Sequence, residues 1–184
     1  SASAIAGEGT GMERDYDAES KAWRADLPPP ASIGRKAGER AVRRLNPKQV
    51  PTGRATVIYD PRVSVTLVGH LSSAINGAAI TRKTSFLRDR LGTRIFAEGI
   101  EIDDDPTRRR APASRPFDGE GLAPAPLKVI EGGVLKTWFL DSASARELGL
   151  VSNARAMRGG GDPSPGSTNL TLRPGMRTPE ELIA

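Results

Sequence analysis

The 184-residue sequence has no cysteine and one histidine, His70, and only 4% of its residues are aromatic. Without thiols, no disulfide, thiolate nucleophile or cysteine-based zinc site can form within the chain. A Ser-His-Asp triad or an imidazole-bearing metal site has only His70 to use; a carboxylate-only metal site stays open. The missing cysteines fit a reducing cytoplasm without requiring one. No apolar run approaches the ~18 residues of a membrane span. The opening residues, Ser1 to Ile5, lack the basic and apolar regions of a signal peptide. A soluble chain with no membrane partner is the expectation.

The sequence also lacks a block of one charge. Its 27 basic residues (21 Arg, 6 Lys) and 22 acidic residues give a net charge of +5. They interleave, apart from Asp103-Asp104-Asp105 followed closely by Arg108-Arg109-Arg110. A nucleic-acid surface wants a basic stripe with aromatics or a recognition helix. Neither is present, which argues against a nucleic-acid partner.

What is there alternates hairpins with separated helices. Ser3–Glu8 and Met12–Ala22 read as strands joined by Gly9-Thr10-Gly11. After Pro28-Pro29-Pro30, a helix is predicted over about 31–45. Its stripe of small and apolar residues, including Ala37 and Ala41, suggests close packing on a sheet, with the opposite arginine-rich face in solvent. Residues 54–59 (RATVIY) read as a strand. Asp60-Pro61 then starts a helix predicted over about 61–80. A loop at 81–85, a short helix at 86–91 and strands at 100–102, 127–130, 134–140 and 168–172 follow. Gly132-Gly133 marks a hairpin, Asp141 or Ser142 caps a short helix closed by Gly149, and Thr178-Pro179 starts another. This mixture predicts an α+β fold, an antiparallel or mixed sheet packed by two main helices.

Chemistry-bearing clusters are few. On the predicted helix, the neighbours of His70 at helical spacing are Thr66, Leu67 and Ala74, none of them a useful zinc ligand. The simplest reading of His70 is packing at the core edge with one ring nitrogen satisfied. Gly159-Gly160-Gly161 leads into Asp162-Pro163 rather than GK[ST], so it is a loop and not a phosphate cradle. Asp103–Asp105 reads as a solvated loop, because three adjacent carboxylates splay apart without an organised cation loop.

Two segments are more specific, SRPFDGEG at 114–121 and LDSASARELGL at 140–150. With MERDY at 12–16, RKTSF at 82–86 and GSTNL at 166–170, they resemble the TldD/PmbA family, bacterial metalloprotease-like proteins also called modulators of DNA gyrase. The agreement runs in order along essentially the whole chain and is closest to the PmbA (TldE) side.

The resemblance implies a cytoplasmic TldD–PmbA heterodimer that processes unfolded peptides. Zinc is expected on the TldD-type partner, held by an HExxxH helix, and no cofactor on this chain. Here the corresponding stretch is VTLVGH: Val65 replaces the first histidine, Thr66 the catalytic glutamate, and only His70 remains. Residues five apart on an ideal helix point about 140° apart, so such a pair needs local distortion such as a π-bulge. The resemblance thus implies no catalytic residue, with His70 the sole candidate, and no metal ligand. It also implies peptide-channel contacts at Arg82, Thr84, Ser85, Phe86, Asp118, Glu120 and Gly121. Asn169 lies on a strand suited to pairing with an extended peptide. Structural alternatives are turn roles for Asp118 and Gly121 and a loop-satisfying amide for Asn169. Family proteins exceed twice this length, so residues 1–184 are expected to be a single partial domain. It would be the N-terminal part of the family's C-terminal domain, lacking a preceding domain and following strands, and prone to self-association. The alternatives are an active metallopeptidase in its own right and a gyrase modulator acting by protein or nucleic-acid binding.

Overall fold

The computed structural model describes residues 1–183. The chain forms two compact units, Ser1–Thr56 and Val57–Ala184. Residues 47–59, which span the boundary, form no helix or strand.

In the first unit, β1 (Ala2–Ala6) and β2 (Glu13–Asp17) form an antiparallel hairpin, covered by α1 (Pro30–Arg43). Alternation puts Glu13, Asp15 and Asp17 on one face of β2, and Asp15 and Asp17 are buried. Ala37 and Ala41 of α1 are fully buried, as close packing on a sheet requires. The arginines of the helix are not all in solvent, however. Arg40 is ion-paired to Asp17, and Arg44 reaches Glu13 at 3.5 Å and Asp15 at 3.6 Å. Period-2 acids on the strand meet period-4 arginines on the helix, a complementarity that a helix-only view of the charges overlooks.

In the second unit, α2 (Pro61–Ala74) starts as expected, with the Asp60 side chain accepting from Arg62 N. It stops short of residue 80. Asn76 leaves the helical conformation and caps a separate α3 (Gly77–Thr81), its Oδ1 accepting from Ala78 N at 3.0 Å. The break admits another segment: Gly77 N donates to Phe139 O and Phe139 N to Ile75 O. A Cβ on Gly77 would lie 2.6 Å from Phe139 O, which only glycine avoids.

β3 (Ile102–Asp104), β4 (Leu127–Glu131), β5 (Val134–Leu135) and, later, β8 (Leu170–Leu172) form an antiparallel sheet in the order β5-β4-β3-β8. Between them come α4 (Ser142–Glu147) and the short pair β6 (Ala156–Met157) and β7 (Ser164–Pro165). The last element, α5 (Pro179–Ile183), is entered through a capping box between Thr178 and Glu181. The core joins Leu71, Ile75 and Ile80 to sheet residues Ile102, Val129 and Ile130 and to Phe139. The architecture is α+β with antiparallel sheets, as the sequence indicated.

Several sequence expectations change. Residues 54–59 are not a strand; Val57, Ile58 and Tyr59 are exposed and have no ladder partner. Residues 86–91 form successive turns rather than a helix, with Arg90 N donating to Leu87 O. The strand predicted at 100–102 runs instead from Ile102 to Asp104, so Asp103–Asp105 is not a solvated loop. Asp104 is fully buried and its charge is met by Arg155, also fully buried, at 2.6 Å.

Candidate functional site

The two motifs at 114–121 and 140–150 are fastened to each other. Glu120 Oε2 accepts from Ser142 N (2.9 Å) and Ser142 Oγ (2.7 Å) at the N-terminus of α4. Asp141 caps the same helix through Ser144 N at 2.8 Å. Asp118 is buried, and its carboxylate accepts from Glu120 N, Leu122 N and Ala156 N at 2.9, 2.9 and 3.1 Å. Gly121 closes that turn with φ of +84°, the left-handed state that favours glycine.

Asn169 precedes β8 and is also buried. Its Oδ1 accepts from Ala113 N at 3.0 Å, and its Nδ2 donates to Asp105 O at 2.7 Å and Ser114 Oγ at 2.9 Å. Asp118, Glu120 and Asn169 therefore direct their side chains into the fold, holding loops together.

The remaining candidates gather beside α2. Thr84, Ser85 and Phe86 line a cavity of about 670 Å³ together with His70. Arg82 sits just before them, exposed at the end of α3. His70 is exposed and its ring makes no hydrogen bond or ion pair among the described residues, unlike the half-satisfied core histidine expected. The hydroxyls in the wall donate to backbone: Ser73 to Gly69 O, Thr84 to Ala79 O and Ser85 to Ala74 O. With those donors committed, Leu67, Leu71, Ile95 and Phe96 make the lining predominantly apolar. Phe86 is 83% exposed at its edge. The helical spacing of Leu67, Leu71 and Ala74 could have nominated these positions.

A second cavity, of about 590 Å³, flanks α2 and is lined by Val65, Val68 and Gly69 together with Leu170, Thr171 and Leu172 of β8. β8 is an edge strand of its sheet. Val65 and His70 thus line different cavities, in keeping with the roughly 140° between residues five apart on a regular helix. α2 is α-helical throughout, without the distortion that would bring the two positions together. Thr66 donates its hydroxyl to Val63 O. No group of three histidine, cysteine, aspartate or glutamate residues able to hold a metal occurs among the described residues. The residues around His70 do not fit a zinc ion.

Charged residues meet on the sheet itself. Asp103 pairs with Lys128 at 3.1 Å and with Arg173. Burial pushes its carboxyl pKa up, but the hydrogen bonds and charges of Arg173 and Lys128 outweigh this and hold it below the usual value. Burial likewise lowers the Arg155 guanidinium from its ordinary value, opposed by the charge of Asp104. No described helix is long and apolar enough to cross a membrane.

Residues 52–184 match the family model described as the PmbA/TldA metallopeptidase C-terminal domain. The chain is 39% identical over 152 residues to metalloprotease PmbA of Escherichia coli O157:H7, covering 83% of this chain and 34% of that protein. It therefore spans about a third of the length of the curated relatives it matches. A solved Bacteroides thetaiotaomicron structure, named as a modulator of DNA gyrase, superposes with a TM-score of 0.85 at 32% identity, covering 98% of this chain and 39% of that one. TldE from Thermococcus kodakarensis gives a TM-score of 0.56 at 26% identity over 61% of this chain and 26% of its own. The matched residues and the shared fold together establish that this chain belongs to the PmbA/TldD metallopeptidase family.

Proposed function

We propose that this chain is the peptide-binding, non-catalytic subunit of a cytoplasmic peptidase, and that a TldD-type partner carries the zinc and performs the hydrolysis. The observation that supports this most directly is the surface of α2. A zinc peptidase needs a metal-bound water and a base to receive its proton. At the positions where such groups would stand, this helix has Val65, Thr66 and His70, with Val65 and His70 lining separate cavities. Both cavities suit a different task, that of holding an unfolded peptide.

An extended peptide can add to the open edge of β8 through backbone hydrogen bonds, which read no sequence. Its side chains then alternate, one set descending toward Val65, Val68 and Leu172. The cavity under Phe86 and Leu67 offers apolar surface to a further hydrophobic side chain. Unfolded segments expose such side chains together with free backbone over long stretches.

The test is reconstitution. The full-length protein should co-purify with a TldD-type protein of the same organism. Zinc should follow the partner at one ion per heterodimer, and cleavage of an unfolded peptide should need both proteins. His70→Ala should retain cleavage and zinc. A folded, partner-bound His70→Ala variant that loses both would return His70 to the active site and overturn the proposal.

A further inference from the structure

The 79–84 segment separates two recesses. Ala79 and Thr84 line the large cavity, whereas Ile80 and Lys83 line a smaller one of about 310 Å³ on another side. Trp138, Leu148, Arg88 and Asp89 complete the smaller recess. Two observations mark it out. Trp138 is 8% exposed, and its indole N–H, although buried, has no acceptor among the described residues. Buried donors of this kind are rare in folded proteins, because desolvating an N–H without an acceptor is costly. The second observation is charge. Arg88 is paired with Asp89 through Nε at 2.8 Å, while the Lys83 ammonium makes no ion pair or side-chain hydrogen bond among the described residues. The recess thus combines two cations and one carboxylate with apolar walls from Ile80, Leu148 and Trp138, the last with a buried N–H that has no acceptor among the described residues.

We propose that this recess binds an oxyanion, a carboxylate or phosphate group. The Lys83 ammonium would supply the charge, and Trp138 a hydrogen-bond donor that the protein leaves unused. The chemistry is complementary: an oxyanion is acceptor-only and negative, and the recess offers donors and a net positive charge. Nothing in this assignment depends on α2 or on peptide processing, and it concerns a separate surface.

The chain has two tryptophans, Trp23 and Trp138, so its indole N–H groups give two nuclear magnetic resonance signals. Titration of the 184-residue chain with inorganic phosphate, at ionic strength held constant with potassium chloride, should move the Trp138 signal saturably. The 57% exposed Trp23 should stay in place as the internal control. N-acetylglycine and its amide distinguish the sources: movement with the acid alone identifies a peptide-type carboxylate, and movement with phosphate alone a phosphate group. Lys83→Gln, at an exposed position, should weaken the response about tenfold, roughly the worth of one charge-assisted contact. If neither anion moves Trp138, if both indoles move together, or if Lys83→Gln titrates like the parent, the oxyanion site does not exist.

Discussion

Arg155 Nε donates to Asp104 Oδ2 at 2.6 Å, and neither side chain has any exposure to solvent. Four further donations use the arginine, to Asn153, Ala154, Asp104 and Ala125 carbonyls. The carboxylate also accepts from Thr168 N and Oγ1. The pair ties β3 to the segment entering β6 and to the chain ahead of β8. Removing one partner leaves a charge buried and unpaired. Arg155→Met should therefore lower stability by about 3–5 kcal/mol, seen as a loss of roughly 10 °C in melting temperature. The double variant Arg155→Met/Asp104→Leu should recover part of that loss, because no lone charge then remains.

Asp118→Ala should behave as a fold mutation. Three backbone donors lose their acceptor at once, a loss on the order of 3 kcal/mol. Phe86→Ala should do the opposite. At 83% exposure, its removal should leave stability within about 0.5 kcal/mol, while weakening capture of an unfolded peptide about tenfold if it closes over an apolar side chain. Calorimetry and fluorescence-anisotropy binding on the two variants separate the roles. A Phe86→Ala protein that melts early but binds normally would assign the ring to packing.

Gly77→Ala tests the helix break. Alanine favours a helix over glycine by about 1 kcal/mol, so propensity alone forecasts a gain. The new methyl would instead meet Phe139 O and Ser144 Oγ at 2.6 Å and part the two segments. A net loss of about 2 kcal/mol is expected, measured by urea unfolding.

Acid stability should carry a contribution from Asp103. Its folded pKa is depressed by Arg173 and Lys128 against the opposing effect of burial. A depressed carboxylate stabilises the fold above its unfolded pKa, near 3.8. That stabilisation is lost as pH falls through the lower folded value. Asp103→Asn should flatten this part of the acid limb and leave the slope at neutral pH unchanged. Unfolding free energies measured from pH 2 to 6 decide it.

The sequence made some of these features plain and hid others, for identifiable reasons. Asp60-Pro61, Gly132-Gly133, the Asp141 cap and Gly149 act through neighbours in the chain, so they could be read directly. The end of α2 could not. Asn76-Gly77 breaks the helix because Phe139, 62 residues along, pairs there. Asp104 was legible only with Arg155, 51 residues away. Alone, three aspartates in a row look solvated. Among the candidate site residues, those at 84–86 come together with His70 around one cavity. Asp118, Glu120 and Asn169 turn inward, since an acceptor-rich motif serves a turn as readily as a ligand.

The loop Gly159-Gly160-Gly161 is exposed and has nothing packed where side chains would be. The residues that follow it are anchored elsewhere. Asn76 Nδ2 donates to Pro165 O, Thr168 and Asn169 bind the Asp104–Asp105 region, and β8 pairs with β3. A protease that nicks the glycine loop should therefore produce two pieces that remain one folded particle, parting only in denaturant. The same geometry makes this a natural place to divide the gene, with the long and short pieces expressed separately and reassembling by complementation.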